Sequence, residues 1–384
     1  MKIISSSFMI VMNGVVHFRP FARYVVPNEQ AAAMQENIKV DWRISDTPSY
    51  EKRYGGQNAN GKHILISRYH GMGDHLMVTA LAHYIKHLYP DARIHFYCDE
   101  KYSSEVWHGN PDVDGNTFLP LPIPLDAFKQ YDYHILLDGM AECNAEHDQQ
   151  CWYDDIFQFA GFDPAKIPDE FKRPTIQELD SDYKWVQDNE FDTDQKYLVY
   201  NLTSSSPIRD YPWELGRKFI HLFLDKHPDY KVVVIGQDDS IGSIPDERVI
   251  WLVDRVPDVR SHIPIIKNAK IVVCPDTGFG HLAAVWPQGP SVVSLWGPFT
   301  WQARVKYYSN HYPVTAPKSA CPCMPCWIHG MKVPEEMCRH AKGYNENTPY
   351  CTAMEAITPE MILDKIDSEI MPVAESVPSA TVKE

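Results

Sequence analysis

Short apolar runs alternate with amphipathic stretches along most of this chain, and this alternation limits the folds open to it more than any single motif does. The run HILISRY, from His63, is followed by apolar residues at helical spacing over Asp74–Leu88, and then by the runs ARIHFYC and YDYHILLD. Strands and helices that alternate in this way form mostly parallel sheets with right-handed crossovers. The sequence therefore predicts an α/β chain.

The same alternation restarts in the second half of the chain. The predicted strands there are KYLVYNL, YKVVVIG, RVIWLVD, KIVVC and SVVSLWG, with predicted helices at Trp213–Lys226 and Val259–Asn268. A polar, aspartate-rich stretch over 164–195 separates the two series and is the predicted linker. Two such series favour two Rossmann-like domains that face one cleft, with ligands at the carboxyl ends of the strands.

The predicted domain boundaries follow these shifts in composition. Residues 1–61 form an N-terminal extension that ends in the flexible stretch GGQNANGK, residues 62–180 form the first domain, and residues 195–370 form the second. The tail, 371–384, is rich in proline and serine and is predicted to be disordered. The extension begins with a broken apolar run, which favours a strand over a signal peptide.

Charge and hydropathy weigh against two classes of partner. The chain has 384 residues and a formal net charge of -15, which repels nucleic acid and anionic membranes at long range. It contains no run of about 18 apolar residues, so no membrane span is predicted. Five of the nine cysteines fall between Cys321 and Cys351, whereas the cysteines of secreted, disulfide-linked proteins are scattered. A cytoplasmic location is therefore expected.

The stretch RYHGMGDHLM places two glycines and an aspartate where the strand HILIS turns into a helix. Gly71 and Gly73 allow a tight turn and a close approach of the backbone to a ligand. Asp74 has two interpretations: it caps the helix, or it is a general base that accepts a proton from a substrate hydroxyl at the mouth of the cleft. The spacing is not GxGxxG, so a dinucleotide site is not predicted.

The stretch VVCPDTGFGHLAAVW repeats this device in the second half of the chain. Asp276, Thr277, Gly278 and His281 lie where the strand KIVVC gives way to a helix of small apolar residues. The free N–H groups at the start of a helix attract anions, so these residues are a candidate phosphate site. The alternative is a capped helix with a structural histidine.

A third stretch, NLTSSSPIRDYPW, follows the first strand of the second half. Thr203 and Ser204 supply hydroxyl groups, and Arg209 supplies a positive charge. Hydroxyls and an arginine after a strand suit a diphosphate. The alternative is a polar loop in which serine caps the next helix.

A cluster of cysteines, within CPCMPCWIHGMKVPEEMC and the YC that follows it, predicts a metal site. Cys323, Cys326, Cys338 and Cys351 supply four thiolates, which suit tetrahedral zinc or iron, and Cys321 could replace one of them. The loop is rich in proline, and a loop of this length without a hydrophobic core needs a cross-link, such as a bound metal, to hold its structure. Disulfides or free thiols are the alternatives.

Taken together, these stretches resemble glycosyltransferase family 9, the heptosyltransferases of bacterial surface glycan assembly. The segment ILISRYHGMGDHLMVTALAHYIKHLYPDARIHFY is similar to the opening of that family. The segment CPDTGFGHLAAVWPQGPSVVSLWGP is similar to its donor-binding motif, an Asp-Thr-Gly followed by His-Leu-Ala-Ala and later by Gly-Pro. The resemblance spans about residues 62–366, while the first 60 residues match nothing in the family.

The resemblance implies a GT-B fold and a role for each motif. It makes 62–180 the acceptor domain and 195–370 the nucleotide-sugar donor domain, with a cysteine finger over 320–352 that holds a structural iron or zinc, as in some protein (autotransporter) heptosyltransferases. Asp74 would be the catalytic base, and no catalytic metal is expected. The implied donor-binding residues are Gly73, Thr203, Ser204, Arg209, Asp276, Thr277, Gly278 and His281. In GT-B proteins a terminal helix such as TPEMILDKIDSEI returns to pack on the first domain.

The predicted function is that of an inverting glycosyltransferase, which moves heptose or a similar sugar from a nucleotide-sugar donor to a hydroxyl of a glycan or protein. One alternative is transfer to hydroxymethylated bases of DNA, which the acidic charge disfavours. Another is a non-catalytic module that binds nucleotide sugars, which an intact Asp74 argues against. A GT-B epimerase would need a different set of carboxylates. Assembly into a homo-oligomer is left open.

Overall fold

The computed structural model describes residues 53–68, 71–98, 105–118, 129–137, 150–205, 207–237, 242–320 and 351–372, together with the backbone of five N-terminal strands. Those strands form two small antiparallel sheets, one of order β4-β1-β5 and one of β2 and β3. Their bounds are Lys2–Ser6 (β1), Ile10–Met12 (β2), Val15–Phe18 (β3), Tyr24–Val26 (β4) and Trp42–Asp46 (β5). The chain therefore begins with a strand, as predicted.

A four-stranded parallel sheet organises the first α/β unit, called here the N-terminal lobe (residues 53–163 as described). Its order is β8-β7-β6-β9, with helices α1 (Met72–Leu88) and α2 (Trp152–Phe159). The strands are His63–Ser67 (β6), Arg93–Cys98 (β7), Gly115–Phe118 (β8) and Tyr133–Leu136 (β9). The order reverses between β6 and β9, so ligands are expected beyond the carboxyl ends of these two strands.

A six-stranded parallel sheet organises the second unit, the C-terminal lobe (197–320 and 351–372). Its order is β12-β11-β10-β13-β14-β15, which in chain order is the Rossmann sequence 3-2-1-4-5-6. The strands are Tyr197–Asn201 (β10), Lys231–Ile235 (β11), Val249–Trp251 (β12), Ile271–Pro275 (β13), Ser291–Trp296 (β14) and His311–Thr315 (β15). Every residue of β10 and β13 is buried, as expected for strands covered on both faces. The switch point lies between these two strands.

Helices and short turns complete the C-terminal lobe and the linker. The helices are Lys184–Asp188 (α3), Trp213–Lys226 (α4), His262–Lys267 (α5), Gly278–Ala283 (α6), Gln302–Val305 (α7), Thr352–Glu355 (α8) and Pro359–Lys365 (α9). Single 3-10 turns occur at Pro164–Lys166, Asp169–Phe171, Asp180–Tyr183, Pro207–Arg209 and Lys318–Ala320, and a π-helical turn at Ile366–Ile370 follows α9. None of the helices in the described ranges has the length and apolarity needed to cross a bilayer.

The terminal helix packs on the C-terminal lobe, so the expectation that it packs on the first domain was wrong. Helix α9 starts after Thr358, whose hydroxyl accepts a hydrogen bond from the Met361 N–H, and it lies against α4. Glu360 of α9 pairs with Lys218 of α4, with 2.8 Å between Lys218 Nζ and Glu360 Oε1, and Asp367 of the next turn pairs with Lys226 of α4. Its apolar face, with Ile362, is buried there. Charge and apolar area both favour this position.

The two lobes meet directly at the starts of two helices. The beginning of α1 packs against α6, so the loops that follow β6 and β13 are in contact. A buried arginine, Arg260, forms a second connection between the lobes through the linker. Both candidate loops therefore lie at one junction between the switch points of the two sheets.

Candidate functional site

The first candidate loop fixes a carboxylate at the switch point of the N-terminal sheet. Helix α1 begins at Met72 with Gly71 as its N-cap residue, so Asp74 lies in the first turn and is not the capping residue. The φ of Gly71 is 74°, and a β-carbon there would lie 2.2 Å from Asp74 Oδ2. Only glycine fits this turn without strain. The Asp74 side chain is 25% exposed, so it is neither enclosed in the core nor fully solvated.

Arg68 positions that carboxylate. Its Nη2 donates to Asp74 Oδ1 at 2.8 Å, and its Nη1 donates to the Leu137 carbonyl oxygen at 3.0 Å. Leu137 directly follows β9, so one guanidinium joins the ends of both strands at the switch point. Arg68 is 6% exposed, which makes the ion pair stronger and more directional than a surface pair.

The second candidate loop contains an aspartate that is almost completely buried. Asp276 follows β13 and accepts a hydrogen bond from Arg209 Nη1 to Oδ2 at 3.1 Å. Burial alone would raise the pKa of Asp276, but the charges of Arg209 and Arg304 hold it below its ordinary value of 3.8. Asp276 is therefore ionised at neutral pH, and two arginines surround it.

His281 lies one turn into α6, beside the same aspartate. Its Nε2 is 4.0 Å from Asp276 Oδ1, and its Nδ1 is 2.8 Å from the Tyr308 hydroxyl. Burial lowers the pKa of His281 to about 4, so the imidazole is neutral at pH 7. Thr277 is the N-cap residue of α6 and is half-buried. This loop thus combines a neutral imidazole, an ionised carboxylate and the start of a helix.

The loop after β10 brings Arg209 to the site, while other polar groups of this loop form hydrogen bonds within it. Both the backbone N–H and the hydroxyl of Ser204 donate to Asp210 Oδ1, at 2.6 and 2.9 Å. Arg209 Nη2 donates to the Ser205 hydroxyl at 2.7 Å. The Thr203 carbonyl oxygen accepts a bond from Asn201 at 2.7 Å. Arg209 is therefore the residue of this loop that reaches the second candidate loop.

Gly73 and Gly278 allow the two lobes to approach each other closely. The sequence instead predicted that both glycines contact the donor. A β-carbon on Gly73 would lie 2.8 Å from His281 Cδ2 and 3.4 Å from the Gly278 Cα. A β-carbon on Gly278 would lie 3.1 Å from the Gly73 backbone nitrogen. The space beside each glycine is thus filled by the opposite loop. Their predicted role in donor binding stays a prediction.

Three further residues belong to this junction and were not found from the sequence. Arg304, in α7, places its Cζ 3.7 Å from the centre of the Trp152 ring, and the Arg68 Cζ is 5.5 Å from that ring. Trp152 lies in the N-terminal lobe and Arg304 in the C-terminal lobe, and both are buried. Arg68 carried a weak signal, a cation directly after a buried strand, while Trp152 and Arg304 had no local pattern that separates them from core residues.

The predicted metal ligands lie mostly outside the described residues. Of the four thiols, only that of Cys351 falls within them; it is buried at the N-cap of α8, whereas Cys323, Cys326 and Cys338 are outside, as is Cys321. Within the described ranges, no group of three or more histidine, cysteine or carboxylate side chains is arranged to hold a metal ion. The cysteine finger therefore stays a prediction.

Comparison with known proteins relates this architecture to a set of sugar-transferring enzymes. No family model matches the sequence, and no curated protein matches it. Among solved structures, ADP-heptose LPS heptosyltransferase II of E. coli is similar over 80% of this chain and 98% of its own, with 14% identity and a TM-score of 0.58. A glycosyltransferase family 9 protein of Veillonella parvula gives 13% identity, 81% and 98% coverage, and a TM-score of 0.59.

A third similar structure is TibC, an iron-containing dodecameric glycosyltransferase from enterotoxigenic E. coli. It has 13% identity over 81% of this chain and 77% of its own, with a TM-score of 0.54. At such low identity, these similarities establish the fold. The chain has the GT-B arrangement of these heptosyltransferases, two α/β units with parallel sheets, as the sequence predicted.

Proposed function

We propose that this chain is an inverting glycosyltransferase, which moves heptose or a similar sugar from a nucleotide-sugar donor to a hydroxyl of a glycan or protein. One observation carries the proposal. A partly exposed carboxylate, Asp74, lies at the switch point of one sheet, and the Arg209–Asp276 pair lies at the switch point of the other. The two loops are in contact, so the carboxylate that we propose as the base and the pair that we propose as the anion site face one junction.

The chemistry of inverting transfer needs this separation of roles. An acceptor hydroxyl attacks the anomeric carbon from the face opposite the leaving diphosphate, so its base must lie across from the phosphate site. Asp74 accepts the hydroxyl proton, and Arg68 holds the carboxylate in one orientation. General-base catalysis of this kind typically contributes about 10²–10⁴ in rate.

The C-terminal lobe supplies the groups that take up the leaving group's charge. Arg209 lies next to the start of α6, where the backbone N–H groups of Gly278 and its neighbours favour an anion. Asp276 keeps Arg209 in place, and Thr203, Ser204, Thr277 and His281 complete the proposed donor pocket. Removal of one preorganised donor to a developing anion costs about 10²–10³ in rate.

Two of the similar structures support a nucleotide-sugar donor. The TibC structure has been determined with ADP-D-β-D-heptose, and its similarity to this chain has a TM-score of 0.55 over 86% of the chain at 14% identity. The name of the E. coli enzyme above, ADP-heptose LPS heptosyltransferase II, includes the same type of nucleotide sugar. ADP-heptose is therefore the first donor to test, followed by UDP- and GDP-sugars.

The deciding experiment measures transfer and donor binding separately. We expect Asp74→Asn to lower transfer to an acceptor in a bacterial lysate by about 10²–10⁴ while donor affinity, measured by calorimetry, changes only a few-fold, because Asp74 acts on the acceptor hydroxyl. Asp91→Asn, an exposed aspartate of the same lobe, is the matched control. Equal slow turnover in the wild type and Asp74→Asn would instead identify a binding module. Mass spectrometry of the product identifies the acceptor.

We also propose that Cys323, Cys326, Cys338 and Cys351 hold a structural iron or zinc. The residue types support this, since four thiolates suit either metal, and TibC is described as iron-containing. Metal analysis of the purified chain checks it: the double variant Cys323→Ser/Cys326→Ser should lose the metal, and Cys98→Ser, in the buried strand β7, should keep it. A metal-free wild type would contradict the proposal.

A further inference from the structure

A hydrogen-bond relay, formed by Tyr153, Tyr308 and His281, runs from the N-terminal lobe to the C-terminal lobe. The hydroxyl oxygens of Tyr153, in α2, and Tyr308, in the C-terminal lobe, are 2.6 Å apart. The Tyr308 hydroxyl is 2.8 Å from His281 Nδ1. All three side chains are buried, Tyr153 completely. Because water has little access to the three groups, each hydrogen-bonding atom depends on its neighbour in the chain.

The possible hydrogen positions fall into two arrangements, one for each neutral tautomer of His281. Each tyrosine has one hydroxyl hydrogen, and neutral His281 has one ring hydrogen. In the first arrangement Tyr153 donates to Tyr308, Tyr308 donates to Nδ1, and the ring hydrogen is on Nε2. In the second, Nδ1–H donates to Tyr308, the bond between Tyr308 and Tyr153 can run in either direction, and Nε2 carries a lone pair.

Asp276 distinguishes the two arrangements. Its Oδ1 lies 4.0 Å from His281 Nε2, and its carboxyl is ionised because of Arg209 and Arg304. The first arrangement directs an N–H dipole at this anion, which is favourable, and the second directs a lone pair at it, which is repulsive. His311 is the other histidine close by, and its Nε2–H donates to the Gly280 carbonyl oxygen at 3.2 Å.

We propose that Tyr308 and Tyr153 are positioning residues, which together with Asp276 keep the proton of His281 on Nε2, on the side of the proposed donor pocket. His281 then presents a fixed N–H donor to an oxygen of the nucleotide-sugar's diphosphate or ribose. Since Tyr153 belongs to the N-terminal lobe, the relay also makes this tautomer depend on the approach of the two lobes. The proton position is inferred from the contacts among these four residues, while its use in donor binding rests on the proposed function.

Nitrogen NMR of the ligand-free chain tests the proton position directly. The chain is labelled with ¹⁵N-histidine, and the His281 signals are assigned by their loss in His281→Gln. We expect the wild type to show a protonated Nε2 and an unprotonated, hydrogen-bonded Nδ1. A wild type with the proton on Nδ1 would overturn the proposal, whatever the variants do.

Two variants and one control test the relay. Tyr308→Phe should shift the Nδ1 signal or mix the two tautomers, because it removes the donor to Nδ1. Tyr307→Phe is the matched control, since the neighbouring hydroxyl bonds to Asp154 at 2.8 Å and is not in the relay. Tyr153→Phe should cause a smaller change of the Nδ1 signal in the same direction. An unchanged Nδ1 signal in this variant would contradict the proposed influence of Tyr153 from the other lobe. Identical spectra for Tyr308→Phe and the wild type would reject the relay.

Kinetics separate this inference from the proposed function. Once a donor is identified, Tyr308→Phe should raise its KM about 10-fold, the value of one hydrogen bond of about 1.4 kcal/mol, with a smaller change in kcat. Tyr307→Phe should leave KM within about two-fold of the wild type. If the NMR result holds but no nucleotide sugar binds, the proton position stands and the proposed function fails.

Discussion

At the scale of single residues, the main feature of the site is an ionised carboxylate that is shielded from almost all water. Asp276 is 7% exposed, and an isolated carboxylate at such a position would cost several kcal/mol. Arg209 and Arg304 offset that cost, and Arg304 in turn lies on the face of Trp152. The buried histidines near this site, by contrast, are stable only in their neutral form. Acid should therefore act on this part of the molecule first.

Buried histidines should make the chain sensitive to mild acid. Burial lowers the pKa of His262 and that of His281 to about 4, and that of His311 to about 3, from 6.5. The unfolded chain takes up these protons near pH 6.5, so the stability from the three neutral histidines is complete above pH 6.5 and is lost as pH falls toward 4. Each should cost about 2 kcal/mol of unfolding free energy between pH 7 and pH 5.

Urea unfolding at pH 7 and pH 5 checks this prediction. His262→Gln should show a smaller difference between the two pH values than the wild type, because one of the three buried histidines no longer titrates. His108→Gln, which changes an exposed histidine, should show the full difference. Equal pH dependence in His262→Gln and His108→Gln would show that burial of His262 does not oppose its protonation.

At the scale of elements, the starts of α1 and α6 bring the backbones of the two lobes into contact. Gly73 and Gly278 are each in the first turn of a helix, where a side chain would normally occupy the space that the opposite loop fills. Interiors are packed at crystal-like density, so one added methyl group has to displace backbone or ring atoms here. The relative position of the two loops is therefore set by these glycines.

We predict that Gly73→Ala destabilises the fold by about 1–3 kcal/mol and lowers activity, because its β-carbon would lie 2.8 Å from His281 Cδ2. Urea unfolding and the transfer assay measure the two effects. Gly61→Ala is the control: its φ is 66° with open space around it, so alanine there adds only backbone strain of about 1–2 kcal/mol. Activity loss of equal size in both variants would contradict a specific role for the helix contact.

Strongly periodic elements could be predicted from the sequence, and short or partnered ones could not. The prediction for Trp213–Lys226 matched the structure, as did the parallel strands around it. The strand Gly115–Phe118 has little apolar pattern and forms through pairing with β7. The same physical limit applies to the site: Asp74, Asp276 and His281 follow local motifs, whereas Arg304 and Trp152 meet only after the lobes pack.

At the scale of the whole molecule, one buried arginine connects both lobes and the linker. Arg260 forms a two-point ion pair with Asp182, at 2.6 and 2.7 Å. It also donates to the backbone carbonyl oxygens of Glu105 and His108, in the N-terminal lobe, and of Gln177, in the linker. A fixed, planar set of donors can serve four acceptor groups at once. The angle between the lobes is therefore held at a point away from the candidate site.

We predict that Arg260→Ala lowers the unfolding free energy by about 3–5 kcal/mol, because Asp182 is left buried without its cation. Arg260→Lys should recover little of this loss, since an ammonium group lacks the planar set of donors. Arg217→Ala, which breaks a surface pair with Glu214, should cost less than about 1 kcal/mol. Urea unfolding compares the three, and similar midpoints for Arg260→Ala and Arg217→Ala would contradict this account of the lobe connection.

The paired glycines have a consequence for protein engineering. Gly73 and Gly278 belong to different lobes, and each makes room for the other. A hybrid that grafts a foreign N-terminal lobe onto this C-terminal lobe must also carry a residue without a β-carbon at the corresponding seam position. Exchange of one lobe is thus constrained first by the backbone at the seam, before any residue that selects a substrate is considered.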